Sequence, residues 1–218
     1  MISVGKTLYS LMLNDDVVRE IDMLAHKSGT SRSNLINRIL AEYVDYTTPE
    51  HRINEVLSAI EQLMMPSREI VPFFAPNSQS MSLKSSLEYK YRPTVKYEVE
   101  LYCEGGDQIG RLSVLFRTQS QTLISAMTSF FRLWKQIEDA HLAPILRGQI
   151  DYALYDGKFM RSISVPDRDC TANELAQAIS EYINLLDKQM KDYLCAKADA
   201  RSIEIAYYNY LNSADIHI

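Results

Sequence analysis

Residues 6–44 read KTLYSLMLNDDVVREIDMLAHKSGTSRSNLINRILAEYV. Apolar side chains alternate in the residues just before Asn14, and a period of two predicts a short strand. Asn14 is a favourable helix N-cap, and the apolar spacing of three and four that follows it predicts a helix ending at Gly29. Ser31 caps a second amphipathic helix. The predicted order is therefore strand, helix, helix.

This short strand raises a physical problem. A strand cannot satisfy its backbone groups alone, and the sequence predicts no second strand in the first 66 residues. One strand and two helices also bury too little apolar surface to fold independently. Both deficits disappear if two chains associate and each gives one strand to a two-stranded antiparallel ribbon. The sequence predicts an obligate dimer with this core: Tyr9, Leu11, Leu13, Val18, Ile21, Leu35, Ile36, Ile39 and Leu40.

These residues resemble the ribbon-helix-helix proteins of the CopG, Arc and MetJ type. The likeness rests on the strand with three inward apolar residues, the polar-acidic cap, and the Gly-Thr-Ser-Arg-Ser turn at residues 29–33. It covers about a fifth of the chain. The resemblance implies a DNA-binding module, because in that family the paired strands enter the major groove.

The same resemblance implies which side chains face the bases. The outward strand positions are Leu8, Ser10 and Met12, with Lys6 just before them. Leu8 and Met12 differ from the polar residues usual in the family, so Ser10 and Lys6 would carry the polar contacts. The alternative is that this face binds a protein partner and no longer enters the groove.

The start of the second helix suggests a phosphate contact. Ser31, Arg32 and Ser33 combine free backbone N–H groups, two hydroxyls and a guanidinium at a helix N-terminus, which suits an anion. The alternative is that Ser31 is only an N-cap and Arg32 only a solvated charge.

The charge balance restricts the mode of binding. The chain has 23 Lys and Arg against 28 Asp and Glu, a net charge of −5. Residues 1–66 contain six basic and nine acidic side chains, a net charge of −3. This excludes binding by bulk positive charge and predicts few phosphate contacts per dimer. Tight binding would then require several dimers on adjacent sites.

The rest of the chain predicts a second domain. An Asp-Gly hairpin signal at Asp156 and a capping box at Thr171–Glu174 belong to a β-β-α-β-β-α order. We therefore expect an α+β fold, with an N-terminal ribbon-helix-helix module followed by that domain. The predicted boundaries are 1–47 for the module, 48–66 for an additional helix, 67–82 for a Pro- and Ser-containing linker, and 83–218 for the α+β domain.

No pattern predicts catalysis or a cofactor. The four histidines and three cysteines lack metal-ligand spacing, and no nucleophile elbow is present. No apolar run is long enough for a membrane span, and no signal peptide is visible, so we expect a cytoplasmic protein that does not contact membranes. The aromatic residues of the second domain favour a core or a self-association surface over an effector pocket.

Two hypotheses follow. The first is a non-enzymatic transcriptional regulator, such as a repressor, that binds double-stranded DNA as a homodimer, tetramer or higher oligomer. Its second domain would serve oligomerisation or bind an unknown effector. The second is a dimeric interaction scaffold or antitoxin-like partner binder that does not bind DNA.

Overall fold

The computed structural model describes residues 7–67, 69–74, 79–87, 93–103, 106–146, 148–166 and 168–218. The helices in these ranges are α1 Asp15–Lys27, α2 Arg32–Tyr43, α3 Pro49–Met64, α4 Gln121–His141, α5 Ala172–Leu194 and α6 Ala200–Ser213. The strands are β1 Ile70–Phe74, β2 Ser80–Ser86, β3 Thr94–Leu101, β4 Gln108–Phe116, β5 Tyr152–Tyr155 and β6 Lys158–Ser164.

All six strands form one sheet in the order β1-β2-β3-β4-β6-β5, and every neighbouring pair is antiparallel. Alternate residues of β3, such as Tyr97 and Val99, are fully buried, whereas Lys96 and Glu98 between them are half-exposed. This alternation marks a sheet with one face on the core. Helices α3 to α6 contribute the other side of that core, and α3 packs against α5.

The structure is α+β, but the predicted arrangement is wrong. Residues 7–14 form no strand, and every strand in the described ranges lies between Ile70 and Ser164, after three helices. No N-terminal two-stranded ribbon therefore forms within the residues that the structure describes. Alternation of apolar side chains does not make a strand by itself, because a strand also needs a neighbour to accept and donate its backbone hydrogen bonds.

The domain after the helices also differs from the predicted β-β-α-β-β-α order. Its observed order is β-β-β-β-α-β-β-α-α, because β1 and the start of β2 occupy the stretch 67–82 that was expected to be a linker. Pro72 is tolerated in β1 because β1 is an edge strand that pairs only with β2. One long or bent strand is predicted across Pro93 by the shared parity of Leu87, Tyr89, Tyr91, Val95, Tyr97, Val99 and Leu101. Residues 88–92 of that stretch lie outside the described residues. The strands on either side, β2 and β3, are an antiparallel pair.

The helix starts are confirmed in detail. Asn14 accepts a hydrogen bond from the Asp16 backbone N–H at 2.9 Å. Ser31 caps α2, and Thr171 and Glu174 form the expected capping box on α5. Each of these caps satisfies backbone donors that the helix leaves unpaired.

The residue that follows the C-cap of α5 has a left-handed backbone conformation although it is not glycine. At the end of α1, Gly29 has φ 61°, and the N–H groups of Gly29 and Thr30 donate the two hydrogen bonds of a Schellman motif to the carbonyls of His26 and Ala25. Ala196 holds the same position after α5 with φ 53°, and the Lys197 N–H bonds to the Asp192 carbonyl at 2.8 Å. A Cβ at this φ costs about 1–2 kcal/mol, which glycine avoids.

We therefore expect Ala196→Gly to raise the free energy of unfolding by about 0.5–1 kcal/mol, measured by urea denaturation. Ala200→Gly is the matched control, because Ala200 lies in the first turn of α6 and glycine there should give no gain. Equal destabilisation by both substitutions would contradict this explanation.

Candidate functional site

Helices α1 and α2 contact mainly each other. We call the described residues that contain them, 7–47, the α1–α2 module. The two helices are joined by a short turn at residues 28–31 and pack against each other, whereas α3 packs into the main core. Over residues 7–47, the buried apolar residues are Ala25, Leu35 and Ala41. Three small or medium side chains are a small core for two helices.

The module exposes an unusual amount of apolar surface. Of the 23 large apolar side chains that are exposed in the described residues, thirteen lie within residues 7–47. They are Leu8, Tyr9, Leu11, Met12, Leu13, Val17, Met23, Leu24, Ile39, Leu40, Tyr43, Val44 and Tyr46. Such a concentration is typical of a surface that is covered by another molecule.

On α2 these side chains form a continuous stripe. Ile36, Ile39, Leu40 and Tyr43 are spaced by three and four residues, so they share one face of the helix. Ile36 is half-buried, and the other three are exposed. We call this face the α2 apolar stripe. No described element covers it to the extent that a core would.

The predicted dimer-core residues fall into three groups in the single chain. Leu35 is buried; Val18, Ile21 and Ile36 are half-buried; and Tyr9, Leu11, Leu13, Ile39 and Leu40 are exposed. Of these nine residues, the structure fully buries Leu35 alone. The role of the others in a dimer core stays a prediction.

The predicted base-contacting residues lie in the irregular segment before α1. Leu8 is 96% exposed, and Ser10 and Met12 are exposed as well. Lys6 lies outside the described residues. The three described side chains are free of the core, so they are accessible to a partner, and their contact with bases stays a prediction.

The predicted phosphate contact contains an internal ion pair. Ser31 accepts a hydrogen bond from the Asn34 backbone N–H at 3.2 Å and is therefore an N-cap. The Nε and Nη2 atoms of Arg32 each lie 2.5 Å from a carboxylate oxygen of Asp22 on α1. Ser33 is exposed. The guanidinium charge of Arg32 is thus neutralised within the module, and a phosphate would have to replace Asp22.

Acidic residues are unevenly distributed along the sequence of the N-terminal region. The nine acidic residues within residues 1–66 lie at positions 15–22 and 42–61, and none lies in residues 23–41. That acid-free stretch contains Lys27, Arg32 and Arg38. It includes the end of α1, the turn and most of α2. Along the sequence, the turn and most of α2 therefore carry the net positive charge of this region, and Asp22 of α1 pairs with one of its three cations, Arg32.

A second polar cluster, in the main core, was missed by the sequence reasoning. Glu138 on α4 and Arg161 on β6 are both fully buried, with 3.1 Å between Arg161 Nε and Glu138 Oε1. Tyr152 and Tyr182 each donate a hydrogen bond to the Glu138 carboxylate at 2.8 Å, and Tyr207 donates one at 3.1 Å. We call the ion pair and these three tyrosines the Glu138 cluster. It joins five elements, namely β5, β6, α4, α5 and α6.

The protonation states of Arg161 and Tyr207 are fixed by their environment. Burial is the largest single influence on the pKa of Arg161 and lowers it, but the charge of Glu138 and the hydroxyls of Tyr182, Tyr207 and Tyr152 together outweigh it and leave that pKa raised. Burial raises the pKa of Tyr207, and the neighbouring Glu138 charge raises it further. Arg161 is therefore cationic and Tyr207 neutral at physiological pH. Because the ion pair is sealed from solvent, the cluster is suited to holding elements together rather than to binding substrate.

Other chemical groups are dispersed. Within the described ranges, no three His, Cys, Asp or Glu side chains lie close enough together to hold a metal ion. Cys103, Cys170 and Cys195 are free thiols. None of the described helices combines the length and apolar character needed to cross a membrane.

No protein-family model, curated protein or solved structure matches this chain. The comparisons therefore add no support for the ribbon-helix-helix resemblance.

Proposed function

We propose that this chain is a cytoplasmic DNA-binding regulator, of the repressor type, that works as a homodimer or higher oligomer. Two chains associate through the apolar surface of the α1–α2 module, and the paired modules contact double-stranded DNA. The observation that carries the proposal is the concentration of exposed apolar side chains on a module with almost no core of its own.

The energetics favour self-association. Full burial of a large apolar side chain contributes about 1.5–3 kcal/mol. Each of the two chains has thirteen exposed apolar side chains in this module. If burial of each contributes only about 1 kcal/mol, their summed contribution still exceeds the roughly 4–15 kcal/mol that association costs. A second copy is the natural occupant, because in a symmetric dimer each apolar stripe can be covered by the same stripe of the partner.

DNA contact is supported by stretch 23–41 of the module, which contains three cations and no acidic residue. Arg32 and Ser33 lie at the start of α2, where free backbone N–H groups suit a phosphate. The Arg32–Asp22 pair is half-exposed, and such pairs contribute at most about 1 kcal/mol, so a phosphate can replace Asp22. Few cations are available, which favours adjacent dimers over one isolated dimer.

The test is a fluorescence-anisotropy titration with DNA from the protein's own promoter region, repeated at several salt concentrations. We expect saturable binding that Arg32→Ala weakens on the order of tenfold, with a shallower salt dependence. Arg19→Ala is the matched control, because Arg19 pairs with Asp16 on the acidic part of α1. Absence of saturable binding at low salt would refute DNA binding, and equal affinity of the Arg32→Ala variant and the wild type would refute the phosphate contact at Arg32.

One observation favours the second candidate function, a scaffold or antitoxin-like partner binder. Leu8 and Met12 are fully exposed apolar side chains beside Asp15 and Asp16, which repel phosphates. Mass determination after copurification separates the two functions. A stoichiometric protein partner without DNA would favour the scaffold.

A further inference from the structure

We infer that the polar face of α2, and not the segment before α1, reads the bases. This face consists of Ser33, Asn34, Asn37 and Arg38, and we call it the α2 polar face. The inference rests on the proposed DNA binding and assigns specificity within it. It replaces the outward residues of segment 7–13 as the sequence-reading surface.

Electrostatics favours the α2 polar face over segment 7–13. Segment 7–13 leads directly into Asp15 and Asp16, the exposed carboxylates of the first turn of α1. DNA approaching that segment would meet both of them. The α2 polar face lies in stretch 23–41, which contains no acidic residue, and the nearby Asp22 is paired with Arg32, so the duplex meets less repulsion there.

The geometry of α2 separates the α2 polar face from the α2 apolar stripe. The four residues of the α2 polar face lie at positions 33, 34, 37 and 38, so they share one side of the helix, and all are exposed. At about 100° per residue, the centre of this face lies roughly 140° around the helix from the centre of the α2 apolar stripe. One helix can therefore contact a second chain on one side and DNA on the other.

The side-chain chemistry of the α2 polar face suits contact with bases. Asn side chains bond adenine, and Arg side chains bond guanine, through paired hydrogen bonds in the major groove, which admits an α-helix. The side chains of Asn34, Asn37 and Arg38 make no hydrogen bond or ion pair with another described residue, so they are available. In segment 7–13, by contrast, the side chains able to hydrogen-bond a base are the single hydroxyls of Thr7, Tyr9 and Ser10, which cannot form such pairs of hydrogen bonds.

The experiment begins by selecting the preferred duplex from a random library with the full wild-type chain. Anisotropy titrations then compare Asn37→Ala and Arg38→Ala with Ser10→Ala on that duplex and on a scrambled one. We expect the two α2 variants to lose about 5- to 100-fold in affinity for the selected duplex and little for the scrambled one. We expect Ser10→Ala to change either affinity less than about twofold.

Asn209→Ala is the matched control, because Asn209 is an exposed amide on α6, outside the module. Circular dichroism verifies that each variant is folded. Loss of specificity in Ser10→Ala with unchanged binding by both α2 variants would overturn this inference while leaving DNA binding intact. If the wild type selects no sequence and binds no DNA, the proposed function fails as well.

Discussion

Glu138→Ala is expected to lower the free energy of unfolding by about 3–5 kcal/mol, because it leaves the buried charge of Arg161 without its partner. The substitution also removes the acceptor of three tyrosine hydroxyls, on β5, α5 and α6. Buried donors without acceptors add to the cost. Urea denaturation followed by circular dichroism measures the change.

Glu204→Ala is the control for this prediction. Glu204 pairs with His141 at 2.8 Å between α6 and α4, but the carboxylate is half-exposed. Its loss should cost less than about 1 kcal/mol. The double substitution Glu138→Leu with Arg161→Met should cost less than Glu138→Ala alone, because it removes both charges. An effect of Glu138→Ala no larger than that of Glu204→Ala would show that the cluster does not hold the fold together.

Leu40→Asp is expected to dissociate the proposed dimer and to abolish the proposed tight binding of DNA. Leu40 lies on the α2 apolar stripe and is 50% exposed in the single chain. In a symmetric interface the new carboxylate would be buried near its own copy, at a cost of about 3 kcal/mol or more. Sedimentation velocity measures the dissociation, and an anisotropy titration measures the loss of DNA affinity.

The control for Leu40→Asp is Ile205→Asp. Ile205 lies on α6 and is 52% exposed, so it gives the same change in chemistry at a similar exposure outside the module. The Ile205→Asp variant should keep the wild-type mass. If Leu40→Asp also keeps it, the α2 apolar stripe is not the interface.

The helices of the module were predictable because their signals are local. Asn14 and Ser31 act through hydrogen bonds to backbone groups two or three residues away. Gly29 ends α1 through its own backbone conformation. Each of these interactions lies within one short segment, so the residue types alone indicate it.

The strands were harder to predict because their partners lie elsewhere in the chain. The apolar alternation before Asn14 predicts a strand, but residues 7–14 form none. Pro72 favours a linker, but it lies in β1. Strand β2 contains four serines among its seven residues and is held in place by β1 and β3. It has only two apolar residues, Met81 and Leu83, and two are too few to establish the alternation that indicates a strand.

The candidate site was predictable only in part. The sequence identified the apolar stripe and the turn, but the pairing of Arg32 with Asp22 joins two helices and has no local signal. The Glu138 cluster did leave a signal that was overlooked. Glu138 follows Trp134 by four residues on the apolar face of α4, and Arg161 shares the parity of the buried residues Phe159 and Ile163 in β6. A charge on an apolar face indicates a buried partner.

Self-association of the module is the central claim, and sedimentation equilibrium of the full wild-type chain at micromolar concentration tests it most directly. The chain mass is 25.0 kDa. We predict a species of at least twice that mass, with dissociation only on strong dilution. A single species at 25.0 kDa across the concentration range would contradict the account.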